Sequence, residues 1–84
     1  MVKKLMDLNF KIGGKGFIYL MDAIELKKEN ILMPIEEICE AIAIKRNSTK
    51  QKVISSIRYI RETSDNKYKE YTNNAMLVEL ALLI

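Results

Sequence analysis

The chain is expected to be all-α: a small helical bundle of five to six helices, with residues 1–84 as one domain and a helix-turn-helix over about 35–63. Three observations point there. Apolar residues recur at helical spacing in several separate stretches. Strong helix formers fill those stretches, and one proline and three glycines are too few for a disordered or low-complexity chain. A block of basic residues begins on one of the polar breaks and continues into the stretch that follows. The hydrophobic share, 49%, is enough for a core. The margin is thin, because a chain this short buries only about 60–65% of the surface its unfolded form exposes. No internal repeat is visible.

Residues 2–9 are expected to form a short first helix, broken by Gly13-Gly14-Lys15-Gly16. This run is not a phosphate loop, which needs G-x-x-x-x-G-K-S/T, because Gly16 and Phe17 follow Lys15. It reads as a turn opening the next helix, from Phe17 to about Glu29. There Phe17, Leu20, Met21 and Ile24 share one face, and Ile18, Tyr19, Ala23 and Leu26 add apolar surface elsewhere. A helix apolar on several sides is normally central and buried, so its Met and aromatic residues are core.

Pro34 suits the first turn of another helix, where its missing N–H costs nothing. Ile35, Ile38, Cys39 and Ile42 form the buried stripe, while Glu36, Glu37 and Glu40 face water. The acids sit toward the N-terminus and Lys45 and Arg46 at the C-terminus, as the helix dipole favours. Asn47-Ser48-Thr49 is the turn. Asn tolerates the left-handed conformation that ends a helix, and Ser48 or Thr49 can cap the next. Ser48 with Gln51 also fits a capping box, S-x-x-Q.

The following helix, about 49–63, buries Val53, Ile57 and Ile60, with Ile54 on their flank. At about 100° per residue, the opposite face carries Gln51, Ser55, Arg58, Tyr59 and Glu62, with Lys52 at its margin. Ser64-Asp65-Asn66 ends this helix, and Lys67 to Tyr71 reads as a polar linker or wing-like loop. Thr72 or Asn73 would cap a last helix, Ala75 to Ile84, that is apolar nearly all round. Core packing accounts for one of its faces. Leu77, Leu80 and Leu83 are the expected dimer or partner surface.

Charge is uneven along the chain. Residues 20–44 hold six acids against Lys27 and Lys28, whereas 45–61 hold Lys45, Arg46, Lys50, Lys52, Arg58 and Arg61 with no acid at all. A basic block is usually a solvated face. Here it coincides with a turn and an amphipathic helix, the footprint of an element that tracks phosphates. Other classes fit poorly. The sequence has no histidine and one cysteine, so no disulfide and no common metal site can be assembled. The usual general base is missing, and no catalytic residues are assigned. No cofactor, small-molecule substrate or membrane partner is expected. The N-terminus lacks a signal peptide's apolar stretch, the apolar C-terminal run is too short to span a bilayer, and the lone thiol suits the cytoplasm.

Two stretches resemble a known family. Gly16-Phe17-Ile18-Tyr19-Leu20-Met21-Asp22-Ala23-Ile24 is similar to G-x-x-Y-L-x-x-A-I, which opens the central helix of a DNA-binding effector domain. That domain belongs to the stage 0 sporulation protein A family, response regulators of endospore-forming Firmicutes. Ile42 to Val53 resembles the family's I-A-K-K-x-N-T-T-x-S-R-V, and Ile57-Arg58 falls where the family has an Ile-Arg pair. The resemblance implies a bundle of about six helices whose helix after the N-T-T turn lies in the major groove. It puts Gln51 and Lys52 at the family's Ser-Arg readers. Ile54 and Ser55 replace a Glu-Arg pair, so the family's target sequence does not carry over. The receiver domain has no counterpart in these residues, so activation by phosphorylation does not carry over either.

The expected function is sequence-selective binding of double-stranded DNA by a transcription regulator. Gln51, Lys52, Ser55 and Arg58 would reach base edges or flanking phosphates, and Lys45, Arg46, Ser48, Thr49 and Lys50 would sit on the phosphate backbone. Three of them have plainer alternatives: a capping box for Gln51, an ordinary exposed position for Ser55, and a solvated charge or internal salt bridge for Arg58. A homodimer on two half-sites is the expected assembly. The alternative function is a protein-interaction module that has lost DNA affinity and modulates a full-length regulator.

Overall fold

In the computed structural model, which describes residues 1–84, the chain forms five α-helices and one 3-10 turn. These are α1 (Val2–Asp7), α2 (Gly14–Glu29), α3 (Ile35–Lys45), α4 (Lys50–Thr63), the 3-10 turn Lys67–Glu70, and α5 (Asn73–Leu83). The protein is an all-α bundle.

Two asparagines end helices in the same way. Asn9 and Asn47 are the only non-glycine residues with positive φ, 64° and 53°. After α1, the Phe10 amide donates to the Leu5 carbonyl (3.0 Å) and the Asn9 amide to Met6 (2.9 Å). After α3, the Ser48 amide donates to Ala43 (2.8 Å) and the Asn47 amide to Ile44 (3.4 Å). Such paired bonds satisfy the carbonyls a helix end leaves open, and the left-handed residue they require falls on Asn at low steric cost. Thr49 then caps α4, its hydroxyl oxygen accepting the Lys52 amide at 3.2 Å. The Ser48–Gln51 capping box does not form, because Ser48 is used in closing α3 and lies one residue too early.

Helix α2 is central and packs against α3, α4 and α5. It buries Phe17, Tyr19, Leu20, Ala23 and Ile24, and it starts at Gly14, earlier than Phe17. Gly16 is where α2 meets α4. A Cβ there would lie 3.0 Å from the Ser56 carbonyl oxygen and 3.4 Å from Ile60 Cβ, so a side chain would push the two helices apart. Helix α4 buries Val53, Ile57, Ile60 and Arg61. Ile54 is half-buried and packs against the core.

Two further sequence expectations need correction. The stretch from Lys67 to Tyr71 is not a linker. Tyr68 is fully buried, stacked on Phe10 (ring centroids 5.6 Å apart) and edge-on to Tyr71 (4.9 Å). Arg61 secures the turn from α4, donating to Asn73 Oδ1 (2.9 Å) and to the carbonyls of Lys69 (3.0 Å) and Tyr68 (3.4 Å). One aromatic anchor outweighs the polar composition around it. The second correction concerns α5. Leu77 and Leu80 are fully buried with Met76, so they are core and not a partner surface. Leu83 stays 53% exposed beside Leu82 at 76%.

Candidate nucleic-acid interface

The two sides of α4 differ sharply in chemistry. Its inner side is Val53, Ile57 and Ile60; its outer side exposes Gln51, Lys52, Ser55, Arg58, Tyr59 and Glu62. Because Thr49 caps the helix and the α3 terminus fixes the turn before it, the first residues of α4 stand in defined positions. Beside them lies an open cleft of about 400 Å³. Its walls are Arg46, Asn47 and Ser48 of the turn, Gln51, Lys52, Ser55 and Ser56 of α4, and Lys15 and Tyr19 of α2. Tyr19 is the one hydrophobic residue of this lining.

The structure brings together three of the four residues expected to read bases. Gln51, Lys52 and Ser55 share this cleft, whereas Arg58 lines a separate depression with Glu36, Ile54, Tyr71 and Asn73. Of the residues expected on phosphates, Ser48 is half-buried in the cleft wall and the hydroxyl oxygen of Thr49 is occupied as a cap.

The turn cations are largely paired with carboxylates of the protein, although their side chains stay at the surface. Arg46 donates from Nε (2.8 Å) and Nη2 (2.9 Å) to both oxygens of Asp22, and Lys45 Nζ lies 3.4 Å from Asp22 Oδ1. Asp22 is buried on α2. The hydrogen-bonded Arg46 guanidinium holds its carboxyl below the usual carboxylate range, overcoming the burial that would raise it. Lys50 Nζ pairs with Glu36 Oε2 at 2.9 Å, and that bond holds its ammonium above the ordinary lysine value. Arg61 is buried in its bonds to the 3-10 turn and Asn73. Of the basic block, Lys52, Arg58 and Arg61 have no carboxylate within ion-pairing distance, and of these Lys52 and Arg58 are exposed.

Sequence reasoning missed two features of this region. The role of Asp22 had a signal: an acid amid the apolar residues of a central helix needs a cationic partner when it is buried. Lys15 had none. It enters the cleft because α2 and α4 touch at Gly16, a tertiary fact.

Cys39 is fully buried on α3, and burial, with Glu36 adding to it, pushes its thiol up to about 11. It therefore stays protonated at neutral pH and is a poor nucleophile. No group of three His, Cys, Asp or Glu side chains is placed to hold a metal ion. No helix is long and apolar enough to cross a membrane. No family model, curated protein or solved structure matches the chain.

Proposed function

We propose that this protein binds double-stranded DNA as a transcription-regulator domain, with α4 as the helix that enters the major groove. The observation that carries the reading is the outer face of α4. Gln51, Lys52 and Ser55 project together from a capped helix start, and α4 holds no acid before Glu62. A helix of this length, roughly 21 Å, matches the recognition helices of such motifs, whose N-terminal residues contact base edges. Gln51 suits adenine and Lys52 suits guanine, each good pair contributing about 1–3 kcal/mol of discrimination. The resemblance to the sporulation-regulator effector domain supports the same reading and suggests a regulator of that type acting in the cytoplasm. The half-buried Ile54 supports it too, since a packed isoleucine at that position does not obstruct the reading face.

The electrostatic contribution should be smaller than the basic block suggests. Six neutralised phosphates would give a log affinity–log salt slope of roughly −5, of which the exposed and unpaired cations of that block, Lys52 and Arg58, account for roughly −2, before any cation outside the block is counted. Fluorescence anisotropy with random and selected duplexes across a salt series tests this. The expected result is salt-dependent binding in which Gln51→Ala and Lys52→Ala each lose about tenfold on the selected duplex, within the range for one base pair. No binding at low salt would overturn it. The alternative, a partner-binding module that pairs with another copy or another regulator, is favoured by exposed apolar side chains, Leu82 and Leu83 on α5 together with Leu32 and Ile44.

A further inference from the structure

Lys15 lies outside the basic block, yet it lines two of the clefts that flank α4. The first cleft also contains Lys52. The second, about 540 Å³, continues along α4 toward its C-terminus, with Lys11 and Gly13–Gly16 on one wall and Ser55, Tyr59 and Thr63 on the other. The two clefts share Lys15, Ser55 and Ser56 and run on from one another along a single edge of α4; the floor of the second is mainly apolar, with Ile12, Phe17 and Ile60, and its charged groups are Lys11 and Lys15.

Neither Lys11 nor Lys15 takes part in any ion pair of the protein. The contrast with Lys45 and Arg46, both held by Asp22, is direct. The loop that carries the two free lysines is also well anchored. The Lys11 amide donates to Ser64 Oγ at 3.4 Å, and Asn66 Nδ2 donates to the Leu8 carbonyl at 2.8 Å. Phe10 stacks on the buried Tyr68, and Gly16 abuts Ser56. The lysines are therefore attached to a scaffold that is fixed relative to α4.

We propose that the loop between α1 and α2, with the first turn of α2, is the second wall of the DNA site, where Lys15 and then Lys11 neutralise backbone phosphates of the strand that borders α4. Lys45 and Arg46 brace the turn through Asp22 and are not phosphate ligands. A lysine ammonium is a compact charge that binds phosphate without reading sequence, so this wall adds affinity and orientation but not selectivity. The inference rests on the DNA-binding reading above and deepens it.

The test uses the full chain and labelled duplexes in a salt series. Lys15→Ala should make the log affinity–log salt slope shallower by about 1, and Lys11→Ala/Lys15→Ala by about 2, equally on random and selected duplexes. Lys15→Arg should retain the slope, and Lys45→Ala should leave it unchanged. Both lysines are exposed, so unfolding midpoints should match the parent protein. Salt-dependent binding with an unchanged slope in the double variant would overturn this inference and leave the DNA reading intact. A parent protein that binds no duplex at low salt would overturn both.

Discussion

Helices α4 and α5 both pack on α2 and touch each other, yet they differ in what they present outward. Helix α4 largely separates its chemistry, with Val53, Ile57 and Ile60 inward and Gln51, Lys52, Ser55 and Arg58 outward, the buried Arg61 being the exception near its C-terminus. Helix α5 is apolar on nearly every side, and only its packing in the bundle decides that Met76, Leu77 and Leu80 go in while Leu82 and Leu83 stay out. The lesson concerns information. Segregation of polar and apolar residues specifies a face by itself, whereas uniform hydrophobicity specifies burial of some face and leaves the choice to the neighbours.

The sharpest way to test that contrast is within α5. Leu80→Ala should cost about 2–5 kcal/mol in denaturant unfolding, a large part of the roughly 4–13 kcal/mol expected for a chain of this size. Leu83→Ala should stay within about 0.5 kcal/mol of the parent. Equal losses at the two positions would mean that both sides of α5 are packed.

A smaller effect is expected within α4, between two arginines three residues apart. Arg61→Ala removes the donor to Asn73 and to two carbonyls of the 3-10 turn, and should cost about 1–3 kcal/mol. Arg58→Ala should leave stability unchanged, because Arg58 is exposed and makes no ion pair. If Arg58→Ala proved as destabilising as Arg61→Ala, the outer face of α4 would not be free.

The smallest effect concerns the brace behind the turn. Arg46 depresses the Asp22 carboxyl, so the pair adds stability that is fully present above the unfolded value of about 3.9 and is lost as pH falls through the lower folded value. Unfolding midpoints of the parent should therefore drop below about pH 4 more steeply than those of Asp22→Asn. Parallel curves would show that the ion pair adds nothing to folding.

Much of the candidate site was legible because its determinants are local. Asn47 and Thr49 mark the boundary between α3 and α4 through hydrogen bonds that reach no more than five residues along the chain. The outward placement of Gln51, Lys52 and Ser55 follows from the helical period. The engagement of Lys45 and Arg46 was not legible in the same way, because Asp22 lies 23 and 24 residues away and proximity comes from packing. Arg58 shows a similar limit. Periodicity sets it on the exposed face, but the neighbouring elements put it in a different depression from Lys52.

The sequence by itself determined the helical class, the central position of α2, the ends of α3 and α4, and the polar face of α4. Those follow from periodicity, capping and backbone preference, which act over one or two helical turns. Tertiary structure alone decided that Tyr68 is a core residue, that Leu77 and Leu80 are spent inside the bundle, and that Lys15 stands at the edge of α4 while Arg46 is tied to Asp22. Each of these depends on which surfaces meet, and the chain must close long loops before any such contact exists.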